Sequence, residues 1–332
     1  MKPTLHQIAT GMIALFAASH AEAAGVRIES VEVYEGMCEA SGAVALPEGS
    51  FGDRFLMLNN EDNILRIYAV GTPDAPVERN IGDAIGLSSR NRDDLDLEAA
   101  TWLDGQAILI SSLGRNDDGE VREARWQFLS VAVEGEGDDA VITTPKGRSD
   151  KLLAALATLD EDFAAAIGDL TQDDSGLSPK KAGINLEGMS VTADGASLFL
   201  GFRNPVPKGQ SVLVKLLNPK PVLFQDADPA FAPPIRLDLG GRGIRSLEYS
   251  PAAGAYFIVA GPFDSGTGFD LYRWVEGADP VPVPGAREAL ASLGDFAPEG
   301  LIIDQTGKRL QLFSDNEACE TETFRSAILT LD

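Results

Sequence analysis

One layout recurs five times along this chain, and it restricts the fold more than any other feature. A Glu with small neighbours opens an apolar strand, a Gly-containing turn follows, and a second apolar strand ends in a polar cluster. The openings are CEASGAVAL (Glu39), LEAATWL (Glu98), LEGMSV (Glu187), LEYSP (Glu248) and PEGLII (Glu299). The polar ends read NNEDN, SLGRN, FRNP, GPFD and SDNE. Third strands follow at 64–70, 126–133, 211–216, 269–275 and 323–329, rich in β-branched, aromatic and leucine residues. Fourth strands are predicted at 77–81, 140–144, 234–239 and 281–283; the last repeat lacks one because the chain ends. The alternating segment VRIESVEVY, residues 26–34, supplies it.

Repeated four-stranded units completed by the opposite terminus predict an all-β fold: a β-propeller of five blades closed by the N-terminal strand. The spacings between openings, 59, 89, 61 and 51 residues, exceed an ordinary blade, so the connections are long. The longest gap holds a helical excursion near 149–170 (DKLLAALATLDEDFAAAIGDL). A six-bladed ring with a degenerate blade inside an excursion is the alternative.

Residues 1–23 carry Lys2, an apolar run over 8–18 and a small-x-small site at Ala21-Glu22-Ala23, the pattern of a secretory signal. The expectation is a periplasmic or secreted protein, one propeller domain over 24–332, monomeric, without membrane insertion. Both histidines, His6 and His20, lie in that leader. Without them, Ser-His-Asp catalysis and His-ligated metals are excluded. The net charge of −24 argues against nucleic acid. Carboxylate, Arg and Asn/Asp chemistry remains, with hard cations as candidate metals.

In a propeller the start of each first strand and the end of each second strand share a face. The five glutamates therefore form a ring at one mouth of the axial channel. Around them lie Arg115 and Asn116, Arg203 and Asn204, and Arg245 of GGRGIRSLE. Converging carboxylates require protons, arginine partners or a cation. Oxygen ligands suit Ca²⁺ best, with Mg²⁺ or Mn²⁺ as alternatives. Cys38 and Cys319 fall beside each other across the ring closure, and export favours a disulfide between them. On the chain-entropy model that bond gives on the order of 5 kcal/mol.

The segments YEGMCEASG, NNEDNILRIY, NLEGMS, LFLGFRNP and LDLGGRGIRSLEYS resemble the bacterial family called domain of unknown function 3616, from about Val33 to the C-terminus. The family brings no established activity. More distantly, the Glu-Gly openings look like those of phytase-like esterase propellers and of calcium-dependent propeller hydrolases. That likeness carries over at Glu39, Glu98, Glu187 and Glu299, and implies a metal held at the mouth. Glu39, Glu98 and Glu248 lack the following Gly.

Two functions follow. In the first, a cation on Glu39, Glu98, Glu187 and Glu299 activates water against a small anionic ester. Glu187 and Glu299 are the candidate catalytic carboxylates. Arg115, Asn116, Arg203, Asn204 and Arg245 hold the phosphate or carboxylate. In the second, the same mouth belongs to a non-catalytic ligand-binding or protein-interaction scaffold. Open carboxylates would favour the first, and an arginine-paired network the second.

Overall fold

Five antiparallel sheets of four strands stand around a common axis in the computed structural model, which describes residues 25–86, 94–264, 266–315 and 321–332. Blade 1 runs Ala40–Leu46, Arg54–Asn59, Ile64–Ala69 and Val77–Asn80 from axis to rim. Blade 3 runs Asn185–Val191, Leu198–Asn204, Ser211–Leu216 and Ile235–Leu237; blade 4 runs Gly243–Ser250, Ala255–Gly261, Asp270–Trp274 and Val281–Pro282. Blade 5 takes Ala297–Ile303, Arg309–Asp315 and Thr323–Leu331 from the C-terminus and Val26–Glu35 from the N-terminus. The five inner strands contact each other in sequence and close the circle between blades 5 and 1. The propeller of five blades is therefore the fold, closed as the alternating N-terminal segment predicts.

Blade 2 departs from expectation. Its inner strands are Leu97–Leu103, Gln106–Ser111 and Phe128–Val131, but the rim strand is Gly147–Ser149. The predicted strand over 140–144 instead forms a small hairpin, Val141–Ile142 against Val133–Glu134. Pro145, which has no N–H to donate, follows that hairpin. Gly147 then opens the rim strand where a Cβ would come within 2.7 Å of Phe224, so only glycine admits that ring.

Each blade interface holds its own apolar cluster. Leu56, Leu58 and Ile67 of blade 1 meet Leu97, Leu109 and Leu129 of blade 2. Phe199 of blade 3 meets Ile244, Tyr256 and Trp274 of blade 4. The closure between blades 5 and 1 is aromatic: Tyr34 stacks on Phe324 at 5.1 Å and meets Phe55 and Tyr68 edge-on at 5.3 and 5.4 Å. Tyr34 is fully buried, so the N-terminal strand is anchored by its side chain as well as by its ladder.

The excursion between blades 2 and 3 contains two short helices, Leu152–Leu156 and Glu161–Ile167. Asp160 caps the second by accepting from Phe163 N at 3.0 Å. Leu152, Leu153, Leu156, Phe163 and Ile167 enter the cluster between those blades, with Phe163 edge-on to Phe202 at 5.0 Å. The excursion therefore widens a blade interface and adds no domain. Trp274 is core, Trp126 packs against the core, and Trp102 donates to Ala45 O of the neighbouring blade at 2.9 Å. Among the described residues no helix is long and apolar enough to cross a membrane. The proposed leader, residues 1–23, lies outside the described residues. So does Cys319, and with it the expected Cys38–Cys319 disulfide.

Candidate functional site: the axial mouth

Four inner strands carry a β-bulge one turn from the mouth, and the extra residue in each is polar. It is Glu98 in blade 2, Glu187 in blade 3, Arg245 in blade 4 and Glu299 in blade 5. In blade 1 the irregularity spans Ser41 and Gly42. A bulge re-aims the side chain it carries and bends the strand. The residue after each is small: Gly42, Ala99, Gly188, Ser246 and Gly300. At Gly42 a Cβ would lie 2.9 Å from the Ala99 and Glu98 backbone, and at Gly188 it would lie 2.8 Å from Ile244 of the next blade. The Glu-Gly signature thus marks where adjacent inner strands crowd together.

The structure corrects the ring in two blades. Glu248 pairs with Phe257, three residues beyond the bulge, and does not line the mouth. Burial pushes its carboxyl up to about 8. Arg245 occupies the ring position of blade 4, so the ring holds a cation among carboxylates. In blade 1 that position is Ser41, whose hydroxyl donates to Leu97 O. Glu39 sits two residues earlier, where a strand returns to the same face. Asp96 and Asn185 hold the same offset before Glu98 and Glu187. They form an outer tier that sequence reasoning missed, although the patterns Asp96-x-Glu98 and Asn185-x-Glu187 carry its signal. Asp96 adopts φ 52°, an uncommon conformation for a residue other than glycine. In blade 4 the outer-tier position is Gly243, where a Cβ would lie 2.2 Å from Arg203 O; its absence makes room for Arg203.

One ion network spans the inner tier. Arg203 Nη1 donates to Glu187 Oε1 at 3.1 Å, and Arg245 Nε lies 2.8 Å from Glu187 Oε2. Arg245 Nη2 also pairs with Glu299 Oε1. Asn185 Nδ2 donates to Glu187 Oε1 at 2.9 Å. Arg125 Nη1 pairs with Asp96 at 2.8 Å, and Ser112 donates to the same carboxylate oxygen. Burial raises Asp96, with Arg125 opposing, and lowers Arg245. Burial holds Glu98 well above the usual carboxylate range, reinforced by Asp96 and Glu187. Glu39 is pushed up to about 8 by burial and by Asp315 and Glu61.

The mouth is a cavity of about 410 Å³. Its walls include Glu39, Glu98, Glu187 and Glu299, together with Asn116 and Arg203, as predicted. They also include Arg125, Pro179, Lys180 and Asn185, which were not. Three of the expected anion-binding residues do other work. Arg115 spends its guanidinium on backbone carbonyls, Gln172 O at 2.7 Å and Asp169 O at 2.9 Å, with Ile167 and Gly119 beyond; it clamps the helical excursion. Asn204 latches loops through Pro179 O at 2.6 Å and Phe263 O at 3.0 Å. Arg245 lies behind the wall in the ion network. Asn316 and Glu317 of the SDNE cluster lie outside the described residues.

As a calcium cage the four glutamates do not fit. Both oxygens of Glu187 and one of Glu299 face arginines. Among the described residues no three Asp, Glu, Cys or His side chains converge as a metal ligand set.

A family model described as protein of unknown function (DUF3616) matches residues 124–283, which contain GFRNP and LGGRGIRS. This is the family the sequence resembles; the match runs from the third strand of blade 2 to the rim of blade 4. No curated protein matches the chain. Among solved structures, the PQQ-bound aldose sugar dehydrogenase of Streptomyces coelicolor is 13% identical, with TM-score 0.46, covering 93% of this chain and 98% of that one. The Cps50 (Swd1) β-propeller domain of Myceliophteria thermophila is 8% identical, with TM-score 0.40, covering 92% and 100%. A protein of unknown function from Bacteroides caccae is 9% identical, with TM-score 0.36, covering 80% and 66%.

Proposed function

We propose that this is an exported, non-catalytic binding propeller whose axial mouth takes a small, positively charged ligand. The supporting observation is the charge of the wall: among the described residues nine carboxylate side chains face the cavity against three cationic ones. Arg125 and Arg203 are already paired with Asp96 and Glu187, and Lys180 lies 3.7 Å from Asp117. A small anion entering here would meet carboxylates first and would have to displace those pairs. A cation would lower the mutual repulsion of the wall. The volume falls within the range of ordinary small-molecule sites. Thermal melts test the reading, because a ligand that binds only the native state raises the midpoint with concentration. Rising midpoints with calcium, magnesium or organic ammonium salts, and none with phosphate at matched ionic strength, support it. A rise with phosphate alone overturns it.

The second reading is a hydrolase of a small anionic ester that recruits its cation with the substrate. The raised carboxyls of Glu39 and Glu98 favour it, since a general acid needs its proton near neutral pH. Turnover of p-nitrophenyl phosphate or acetate that depends on calcium and disappears in Glu98→Gln would establish this reading in place of the first.

A further inference from the structure

We infer that the ligand of the axial mouth is a hydroxylated primary amine, its ammonium seated against Glu98 and a hydroxyl or further N–H against Asn185. The inference rests on the cationic-ligand reading above and narrows it.

Two buried acceptors carry the argument. Glu98 is 6% exposed, lines the cavity, and its Oε2 has no hydrogen-bond partner. Asn185 is 3% exposed and lines the same cavity. Its Nδ2 is committed to Glu187, which fixes the amide orientation and leaves Oδ1 without a donor. A third acceptor on the wall, Asn60 Oδ1, is likewise buried and unsatisfied. Buried polar atoms in native proteins nearly always find partners, so three oxygens left open along one wall call for donors from outside the chain. An anion brings none. A primary ammonium brings three N–H donors and a positive charge that favours the ionised form of Glu98 against the effect of burial, and so makes the strong form of hydrogen bond to its carboxylate.

The remaining wall sets the rest of the ligand. Among the described residues Pro179 is its one apolar residue, and the others are carboxylates, amides or cations. A quaternary ammonium, which needs an aromatic cage and offers no N–H, has nothing to hold it here. A cavity of about 410 Å³ far exceeds a bare ion, so the ligand body carries hydroxyls that reach several acceptors at once. The Glu187–Arg203–Arg245–Glu299 network forms a firm polar flank beside that body. Arg203 presents a further charged group for ligand hydroxyls to meet.

Glucosamine, glucose and glucose 6-phosphate share a shape and differ in charge, and calcium chloride supplies an inorganic cation. Titration calorimetry of the full mature protein with each separates the possibilities. The inference predicts that glucosamine binds, that glucose and glucose 6-phosphate bind at least about tenfold more weakly, and that Glu98→Gln weakens glucosamine by about tenfold or more. Gln keeps the volume of Glu98, and the melt of the variant without ligand verifies its fold. Calcium binding without glucosamine binding overturns the amine and leaves the cation-binding mouth standing. Binding of glucose 6-phosphate in preference to glucosamine overturns both. Equal binding of glucosamine by wild type and Glu98→Gln, or no heat with any probe, also overturns the inference.

Discussion

Replacing Arg245 by Met should be among the most damaging single changes to the inner ring. Arg245 is 4% exposed and faces Glu187 at 2.8 Å and Glu299 on its other side. Met keeps much of the side-chain bulk and removes the charge. Two carboxylates, themselves 2% and 4% exposed, then lose a cation they share. Removing one partner of a buried pair costs about 3–5 kcal/mol, because the other charge is left in a poorly solvated place. Arg203 still holds Glu187 Oε1, which argues for the lower half of that range. With an unfolding entropy of about 2.1 cal/mol/K per residue over about 300 residues, the loss is a drop of roughly 5–6 °C in midpoint. Chemical denaturation and calorimetry read it directly. Adding Glu187→Gln should recover at least about 1 kcal/mol, because the two sites share one interaction. A single variant that melts within about 1 kcal/mol of wild type, or a double variant that shows no coupling, would refute the network.

Three further outcomes follow from the same geometry. Glu39 titrates near 8 in the folded protein against an ordinary 4.5, so the fold favours its protonated form. Its stabilising contribution is complete below pH 4.5 and is lost as pH rises through 8, by about 1–2 kcal/mol after screening at this part-exposed site; Glu39→Gln should flatten that part of the stability–pH profile, and an unchanged slope would contradict it. Gly243→Ala drives a methyl into Arg203 O and should cost about 1–3 kcal/mol; an unchanged urea midpoint would remove the crowding argument. Deleting residues 25–35 withdraws the rim strand of blade 5 and the Tyr34 aromatic anchor, so the product should aggregate; a soluble variant with an unchanged melt would mean that closure does not depend on that strand.

The ring of five blades was legible because its signals are local. Alternation over 26–34, glycine turns and strand-length apolar runs each report on a few neighbouring residues. Ser211–Leu216 was read to the residue. The rim strand of blade 2 was not, because the choice between 140–144 and Gly147–Ser149 depends on Phe224, far along the chain. The mouth was half legible for a similar reason. Following the glutamates selected Glu98, Glu187 and Glu299, where the bulge residue happens to be Glu. It misplaced blades 1 and 4, where Ser41 and Arg245 take the position. The more faithful signal is a polar residue followed by a small one, since crowding between inner strands constrains the small residue and leaves the polar one free to vary. Arg115 was misread because the chain just before it, at Leu113, takes φ 60°, and its guanidinium ends among the carbonyls of the excursion. No pattern within SLGRN announces that turn.

The most direct test of a cation-seeking mouth is a crystal structure of the protein grown with glucosamine. The account predicts the amine in the axial cavity, its nitrogen within hydrogen-bond distance of Glu98 and a ligand donor on Asn185 Oδ1. Ligand density bound elsewhere, or an anion in the cavity with Glu98 turned away from it, would contradict it.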